Sequence, residues 1–288
     1  MDWERFDWLL DAALEEDAAR RDLTTSALVA DDARTEARVR AGEAGVVCGL
    51  PLAERLAARF DDRIAFEQVA DDGDPVVPGD VVALLRGPAA SMLSIERTML
   101  NFLQRLSGVA TMTARFVARV AGTGARIYDT RKTTPGWREL EKYAVRCGGG
   151  CNHRMDLEGL ALIKDNHLAL GAGGREVIGA AVGKLRADRP DVQVEVEVED
   201  PSRLGAALAA RPDIIMLDNM SPEQVRDAVA LIRAHADAGQ PQIEASGSVT
   251  LDNVADYAAA GVDRISVGAL THSAPALDLS LDVAPEGR

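Results

Sequence analysis

The sequence predicts an α/β protein whose larger part is a parallel barrel, preceded by a smaller mixed α+β region. Two observations lead there. From about Ala125 the chain alternates six strands with helices, a run of βα-like steps that is the pattern of a parallel sheet. Most of these strands also end in polar or charged residues. A barrel gathers all its strand C-termini around one mouth, where its chemistry sits, whereas an open sheet spreads them along a line.

In the first hundred residues, "FDWLLDAALEED" has helical spacing and "LTTSALV" follows it. "TEARVRAGEAGVVCG" reads as two strands around a turn. In "LPLAERLAARF", Pro51 marks a helix start, where its missing N–H is least harmful. "RIAFEQVA" and "DVVALLRG" are strands divided by the turn-rich "DDGDPVVPGD". "SMLSIERTMLNFLQRL" begins a long helix, which Ser107 and Gly108 are expected to break before "VATMTARFVARVAG" starts another. Then the alternation begins. Strand "ARIYDT" leads to helix "GWRELEKYAVR", "LALIKD" to "EVIGAAVGKLRA", and "VQVEVEVE" to "PSRLGAALAAR". "DIIMLDN" leads to "SPEQVRDAVALIRAHA", "QIEAS" to "TLDNVADYAAAG", and "DRISVG" is the last strand.

Composition excludes several functions. At 288 residues the chain fits one large or two modest domains, and 47% hydrophobic with 27% charged residues is a globular balance. A net charge of -14 and a pI near 4.8 argue against a nucleic-acid binder, though not against a local anion pocket. Apolar runs are too short to span a bilayer. The N-terminal "MDWERFDWLL" carries acids where a signal peptide needs bases, so a cytoplasmic location is expected. Cys48, Cys147 and Cys151 do not follow a zinc spacing and are expected to be reduced thiols.

Against its acidic total, the chain concentrates cations in "DTRKTTPGWRELEKYAVRCGGGCNHR" and places Lys164 just after it. Of only four lysines, three lie in this neighbourhood. Arg138, Lys142 and Arg146 alternate with Glu139 and Glu141 along a helix, and read as a solvated face. Arg131, Lys132 and Arg154, with His153, sit in breaker-rich flanks, where cations are harder to dismiss.

The strand ends sort by charge. Arg131, Lys132 and Lys164 come first, suited to carboxylates or phosphates. Glu197 and Asp218 follow, suited to a divalent metal or a developing positive charge. Ser246, Gly247, Ser248 and Gly268 come last, where small residues let backbone N–H groups approach a phosphate. Lysine and glutamates inside "ALIKDN" and "VEVEVE" are costly there unless paired or used. The series describes a site for a phosphorylated sugar, with or without magnesium, beside an acid-bearing second substrate. Asn166 and His167 either cap a turn or serve the site. Thr271 and His272 either position the last loop or are structural, and His235 reads as exposed.

The segments "ERTMLNFLQRLSGVAT", "DTRKTTPGWRELEKYAVRCGGGCNHRMDL", "LIKDNH", "EVEVE", "IMLDN", "EASGS" and "VGALTHS" resemble, in order and spacing, the quinolinate phosphoribosyltransferase family. The resemblance runs from "LTTSALV" to "ALDLSLDV", nearly the whole chain. It implies an N-terminal α/β open sandwich over 1–106, rejoined by a C-terminal tail at 270–288. An incomplete, seven-stranded-type α/β barrel would occupy 107–269. It further implies a cytoplasmic magnesium-dependent pentosyltransferase of NAD biosynthesis. Such an enzyme converts quinolinate and 5-phosphoribosyl-1-diphosphate to nicotinate mononucleotide, diphosphate and carbon dioxide. The two carboxylates of quinolinate would account for the cations.

By the family's motifs, Thr130, Arg131, His153, Arg154 and Lys164 bind quinolinate. Arg97 of "ERT" would reach in from the other subunit of a homodimer, which itself could build a hexamer. Lys132, Glu197 and Asp218 are the catalytic candidates and contact the donor, the two carboxylates also on the metal side. Ser246, Gly247, Ser248 and Gly268 would cradle the 5-phosphate. The family more often has "SGG" where this chain has Ser246, Gly247 and Ser248. The expectation is that the third position supplies only its N–H and needs no positive φ. Two alternatives stand beside this reading. One is a relative of the same fold found with molybdenum-transport genes, against which both "DTRKT" and "NHR" speak. The other is a non-catalytic phosphosugar-binding barrel, which would have lost the carboxylates or the cations.

Overall fold

A computed structural model of the chain describes residues 1–170, 177–235 and 240–284. Glu176, Ala236 and residues 285–288, which the sequence reading puts in two helices and the tail, lie outside them. The described residues form two compact units: one from 1–112, 146–149 and 274 onward, the other from 113–145 and 150–273.

In chain order the first unit holds α1 (Asp7–Glu16), α2 (Leu23–Leu28), β1 (Arg34–Ala41), β2 (Gly45–Val46), α3 (Leu50–Phe60), β3 (Ala65–Gln68), β4 (Pro75–Val76), β5 (Val81–Pro88) and most of α4 (Ala89–Arg119). α3 starts at Leu50 with Pro51 in its first turn and buries Leu52, Ala53 and Leu56 on one side. In β1, Ala37, Val39 and Ala41 are buried at every second position, as a half-covered antiparallel strand requires.

The break expected at residues 107–108 is not there. α4 runs unbroken for 31 residues. Ser107 and Gly108 are small because other backbone comes close. The Ser107 hydroxyl accepts the Cys48 N–H at 2.9 Å and donates to the Cys48 carbonyl at 3.2 Å. A Cβ at Gly108 would stand 2.0 Å from the Pro275 carbonyl oxygen. Close approach, not a chain break, explains the glycine.

The second unit holds β6 (Arg126–Tyr128), α5 (Arg138–Cys147, whose last turn falls in the first unit), β7 (Ala161–Ile163), α6 (Asp165–Leu170), α7 (Val177–Asp188), β8 (Val194–Val198), α8 (Leu204–Ala210), β9 (Ile214–Asp218), α9 (Pro222–Ala234), β10 (Gln242–Ser246), α10 (Val254–Ala259), β11 (Arg264–Ser266) and α11 (Ala269–His272). The chain then adds β12 (Leu279–Ala284) to the first unit's antiparallel sheet, in the order β12-β1-β5-β3.

The six strands of the second unit are parallel, in the order β6-β11-β10-β9-β8-β7. Pairing of the first strand with the last is the closure of a barrel. Its incompleteness lies between β6 and β7, where no ladder forms among the described residues. On that side β6 takes a one-residue parallel bridge from Cys151 to Tyr128, a seventh parallel segment. Side chains two residues apart share a face. Glu195 and Glu197 of β8 therefore face the same way, as do Met216 and Asp218 of β9, Glu244 and Ser246 of β10, and Arg264 and Ser266 of β11.

Lys142, read from its acidic neighbours as part of a solvated helix face, is fully buried, and so is its partner Asp129. The lysine Nζ donates to Asp129 Oδ1 and, at 3.1 Å, to the His153 carbonyl. Asp129 in turn accepts the His153 N–H at 2.8 Å and the Asn152 side-chain N–H at 2.6 Å. Burial drives the Asp129 carboxyl up and the Lys142 amine down, each against the pull of its partner. The pair thus anchors residues 152–154 from below. Replacing Lys142 with Met should cost about 3–5 kcal/mol of stability, because Asp129 is left buried and unpaired. The double variant Asp129→Asn/Lys142→Met should be the more stable of the two, as denaturant unfolding will show.

Candidate active site

A cavity of about 340 Å³ opens at the C-terminal ends of the barrel strands. Thr130, Arg131 and Lys132 line it from the loop after β6, and His153 and Arg154 from the segment anchored by Asp129. Lys164, Glu197, Asp218 and Ser246 come from the ends of β7, β8, β9 and β10. Leu162, Met216 and Ser266, which the sequence reading did not name, complete the lining.

The cationic side is incompletely satisfied. The Arg131 Nε is buried without a hydrogen-bond partner. Burial, and then the neighbouring Arg131 charge, weaken the hold of the Arg154 guanidinium on its proton. Arg154 donates to the Leu160 carbonyl at 3.1 Å, which fixes its direction. Two half-buried guanidiniums that repel each other form a receptor for an anion with more than one negative group.

Lys132 sits where two loops meet. Thr271 Oγ1 donates to its carbonyl at 2.8 Å, and a Cβ on Gly268 would stand 3.0 Å from its Cδ. Thr271 therefore ties the Lys132 loop to the Gly268 loop, one of the two roles open from sequence. Glu141, also on the supposed solvated face, is fully buried. It accepts the Thr134 N–H at 3.0 Å and the Thr134 hydroxyl at 2.9 Å, bracing the same loop. His167 Nδ1 accepts the Lys164 N–H at 3.0 Å, so it caps the turn after β7. His235 is exposed, as read.

Lys164 and Glu197 hold each other. Their Nζ and Oε2 atoms are 2.7 Å apart, the lysine side chain 43% exposed and the carboxylate 4%. Oxygens of Glu197, Glu199 and Asp218 lie within 4.8 Å of one another, a donor set that fits a hard divalent cation. Asn219 Nδ2 donates to Asp218 Oδ2 at 2.7 Å.

The loop after β10 corrects one expectation. Ser248 has φ +52°, so its position does adopt the left-handed region. A serine there is strained by about 1–2 kcal/mol, which explains why glycine suits it better. Gly247, at φ +89°, has a second reason to be glycine: a Cβ would come within 2.3 Å of Asn219 Oδ1. Ser246 reaches the cavity lining, whereas Gly247, Ser248 and Gly268 are not part of it. Gly268 itself has an ordinary φ of -66° and marks the start of α11. Arg97 lies on α4 in the first unit, is exposed, and does not line the cavity.

Three charged residues were given no role by the sequence reading, although Glu195 lies among the glutamates it marked as costly in "VEVEVE". Glu195 and Glu244 are fully buried and Arg264 nearly so. His153 Nε2 stands 3.1 Å from Glu195 Oε2 and 3.4 Å from Glu244 Oε1. Burial alone would depress the imidazole, but the two carboxylates more than offset it and raise its pKa to about 9. The Arg154 N–H, aimed at Nδ1 from 2.8 Å, acts in the opposite sense by favouring the neutral ring. While that bond persists the ring proton resides on Nε2, between the carboxylates. Spacing was the available signal, since Glu195 precedes Glu197 by two residues in one strand. The thiols are arranged differently from their sequence spacing: Cys147 groups with Cys48 and Asp72 in the first unit. Burial pushes the Cys48 thiol up, so it stays protonated.

Residues 22–107 match the family model described as quinolinate phosphoribosyl transferase, N-terminal domain, and residues 109–282 match that of its C-terminal domain. The chain is 41% identical over 273 residues to the probable nicotinate-nucleotide pyrophosphorylase (carboxylating) of Methanothermobacter thermautotrophicus, covering 93% of this chain and 95% of that protein. It is 40% identical over 269 residues to the nicotinate-nucleotide pyrophosphorylase (carboxylating) of Mycobacterium leprae, covering 91% of each. The solved structure of the nicotinate-nucleotide pyrophosphorylase from Francisella tularensis is similar with a TM-score of 0.91 at 39% identity, over 99% of this chain and 98% of that one. With both halves matched and the relatives covered almost end to end, the chain belongs to the quinolinate phosphoribosyltransferase family.

Proposed function

We infer that the chain transfers a phosphoribosyl group from 5-phosphoribosyl-1-diphosphate to quinolinate with loss of carbon dioxide, giving nicotinate mononucleotide and diphosphate for NAD biosynthesis. The observation that carries this reading is the mutually repelling pair Arg131 and Arg154, with the Arg131 Nε unpartnered, in a cavity that also holds Glu197 and Asp218. Quinolinate brings two carboxylates to the arginines. The ribose, which gains positive charge as diphosphate leaves, belongs beside Glu197 and Asp218.

In this reading Thr130, Arg131, Arg154 and Lys164 hold the acceptor, with His153 in the wall. Their work is to fix its ring nitrogen toward the ribose, so that bond formation becomes intramolecular. Glu197 and Asp218 stabilise the oxocarbenium-like ribose, a charge present only in the transition state. Lys132 neutralises the departing diphosphate. Ser246, Gly247, Ser248 and Gly268 present backbone N–H groups to the 5-phosphate. Magnesium, held by Glu197 and Asp218 with Glu199 beside them, would neutralise diphosphate charge. No described helix is long and apolar enough to cross a membrane, and we place the enzyme in the cytoplasm. Arg97 fits this scheme as a residue given to the acceptor site of the other subunit in a homodimer.

Nicotinate, with a single carboxylate, leaves part of the cation cluster desolvated and unpaired. Its kcat/KM should fall below that of quinolinate by at least about thirtyfold, the equivalent of roughly 2 kcal/mol. Comparable values for the two acids would rule out the dianion site. Glu197→Ala and Asp218→Ala should lower kcat while leaving the quinolinate KM within about threefold, since their charge acts on the ribose. A raised quinolinate KM at unchanged kcat is the contrary result. For Arg97, mixing inactive Arg97→Ala with inactive Lys164→Ala should restore roughly a quarter of wild-type activity through hybrid dimers. Subunit exchange shown directly, with no recovery, excludes the shared site.

A further inference from the structure

Beneath the acceptor's cations lies a set of buried charges that the transfer reaction does not itself require. Glu195 and Glu244 are 0% exposed. Each occupies the strand position two residues before a cavity-lining residue, Glu197 on β8 and Ser246 on β10. Buried carboxylates are retained only when something holds them. For Glu244 the partners are several: Ser266 Oγ donates to Oε1 at 2.5 Å, and Arg264 Nε lies 2.6 Å from Oε2. Arg264 is in turn seated 4.0 Å above the Tyr128 ring. For Glu195 the charged contact is the His153 ring, which it shares with Glu244.

The ring's other nitrogen is also taken. Nδ1 accepts the backbone N–H of Arg154, while the Arg154 guanidinium is directed by the Leu160 carbonyl. With Nδ1 taken by the backbone and Nε2 buried against the two carboxylates at 3.1 and 3.4 Å, both ring nitrogens face the protein. What it can do is fix Arg154. We propose that Glu195 and Glu244 are positioning residues, which clamp the His153 ring from below and, through its Nδ1, set the Arg154 backbone and hence the guanidinium that receives an acceptor carboxylate. His153 is then a positioning residue as well, not a donor to the acceptor. The proposal rests on the reading that the acceptor binds at Arg131 and Arg154.

The test is steady-state kinetics with quinolinate and 5-phosphoribosyl-1-diphosphate on four variants: Glu195→Met, Glu195→Gln, His153→Ala and the double Glu195→Met/His153→Ala. Methionine fills the space of Glu195 but offers no acceptor to the ring, whereas glutamine keeps a carbonyl oxygen there. Glu195→Met should raise the quinolinate KM about tenfold, the loss of one charge-assisted contact, with the donor KM moved by less than about twofold. Glu195→Gln should recover most of that loss. The double variant should be no worse than His153→Ala alone, because the two residues act in series. A folded Glu195→Met with an unchanged quinolinate KM overturns the clamp, as do effects that multiply in the double variant. If Glu195→Met does not fold, Glu244→Met is read by the same criteria. The underlying site reading fails separately, and the proposal with it, if Arg154→Ala leaves the quinolinate KM where it was.

Discussion

Lys142 and Asp129 meet where no water reaches either side chain, and the segment 152–154 hangs from that contact through three hydrogen bonds. The backbone ladder that holds the chain after "CGGG" beside β6 is a one-residue bridge at Cys151. Yet that segment must deliver His153 and Arg154 to the cavity with their directions set. A buried ion pair is a poor source of net stability, since desolvation consumes most of the attraction. Its value here is geometric. Each of its atoms is bonded to a particular backbone or side-chain group, so the glycine-rich turn is left with one arrangement instead of many.

The same economy of charge runs upward through the barrel. Deep in the sheet, Arg264 sits against Glu244, and the His153 ring lies between Glu244 and Glu195. One layer higher, Lys164 is tied to Glu197. At the level of Arg131 and Arg154 no carboxylate stands within ion-pair distance among the described residues, and there the two neighbouring cations repel. A site left in that condition gains selectivity from what it lacks, because a ligand with too few negative groups leaves a guanidinium unmatched. The rigid pairs below also prevent relief of the repulsion, since the segment bearing Arg154 is held from underneath.

Much of this was legible in the sequence, for identifiable reasons. The six strands announced themselves by length, flanking turns and loaded C-termini, and the cavity gathers Lys132, Glu197, Asp218 and Ser246 from those ends. What sequence periodicity cannot supply is which side of an amphipathic element meets solvent. The helical interleaving of Glu139, Glu141 and Lys142 resembles a surface face, yet Glu141 and Lys142 are buried. Glu195 was marked only as one of the costly glutamates of its strand, because alternation alone does not show which of them is interior. Gly108 misled in another way. A glycine tolerated for close approach and a glycine that ends a helix are the same letter, and only the Pro275 carbonyl beside it separates them. At Ser248 the backbone, not the side chain, carried the information, and φ is invisible to composition.

Lys164 and Glu197 raise the last point, because in the proposed reaction they serve different substrates. The lysine belongs with the acceptor's carboxylates and the glutamate with the ribose and any cation beside it. Holding each other at 2.7 Å, they lower the cost of an empty site, since neither must face it as a bare charge. The same contact links the two halves of the reaction. An acceptor carboxylate that draws Lys164 away leaves Glu197 more negative and a better partner for positive charge near the ribose. A cation that engages Glu197 leaves Lys164 more available to the acceptor. Linkage requires the two effects to be equal in free energy, so this one pair makes each substrate's binding depend on the other's.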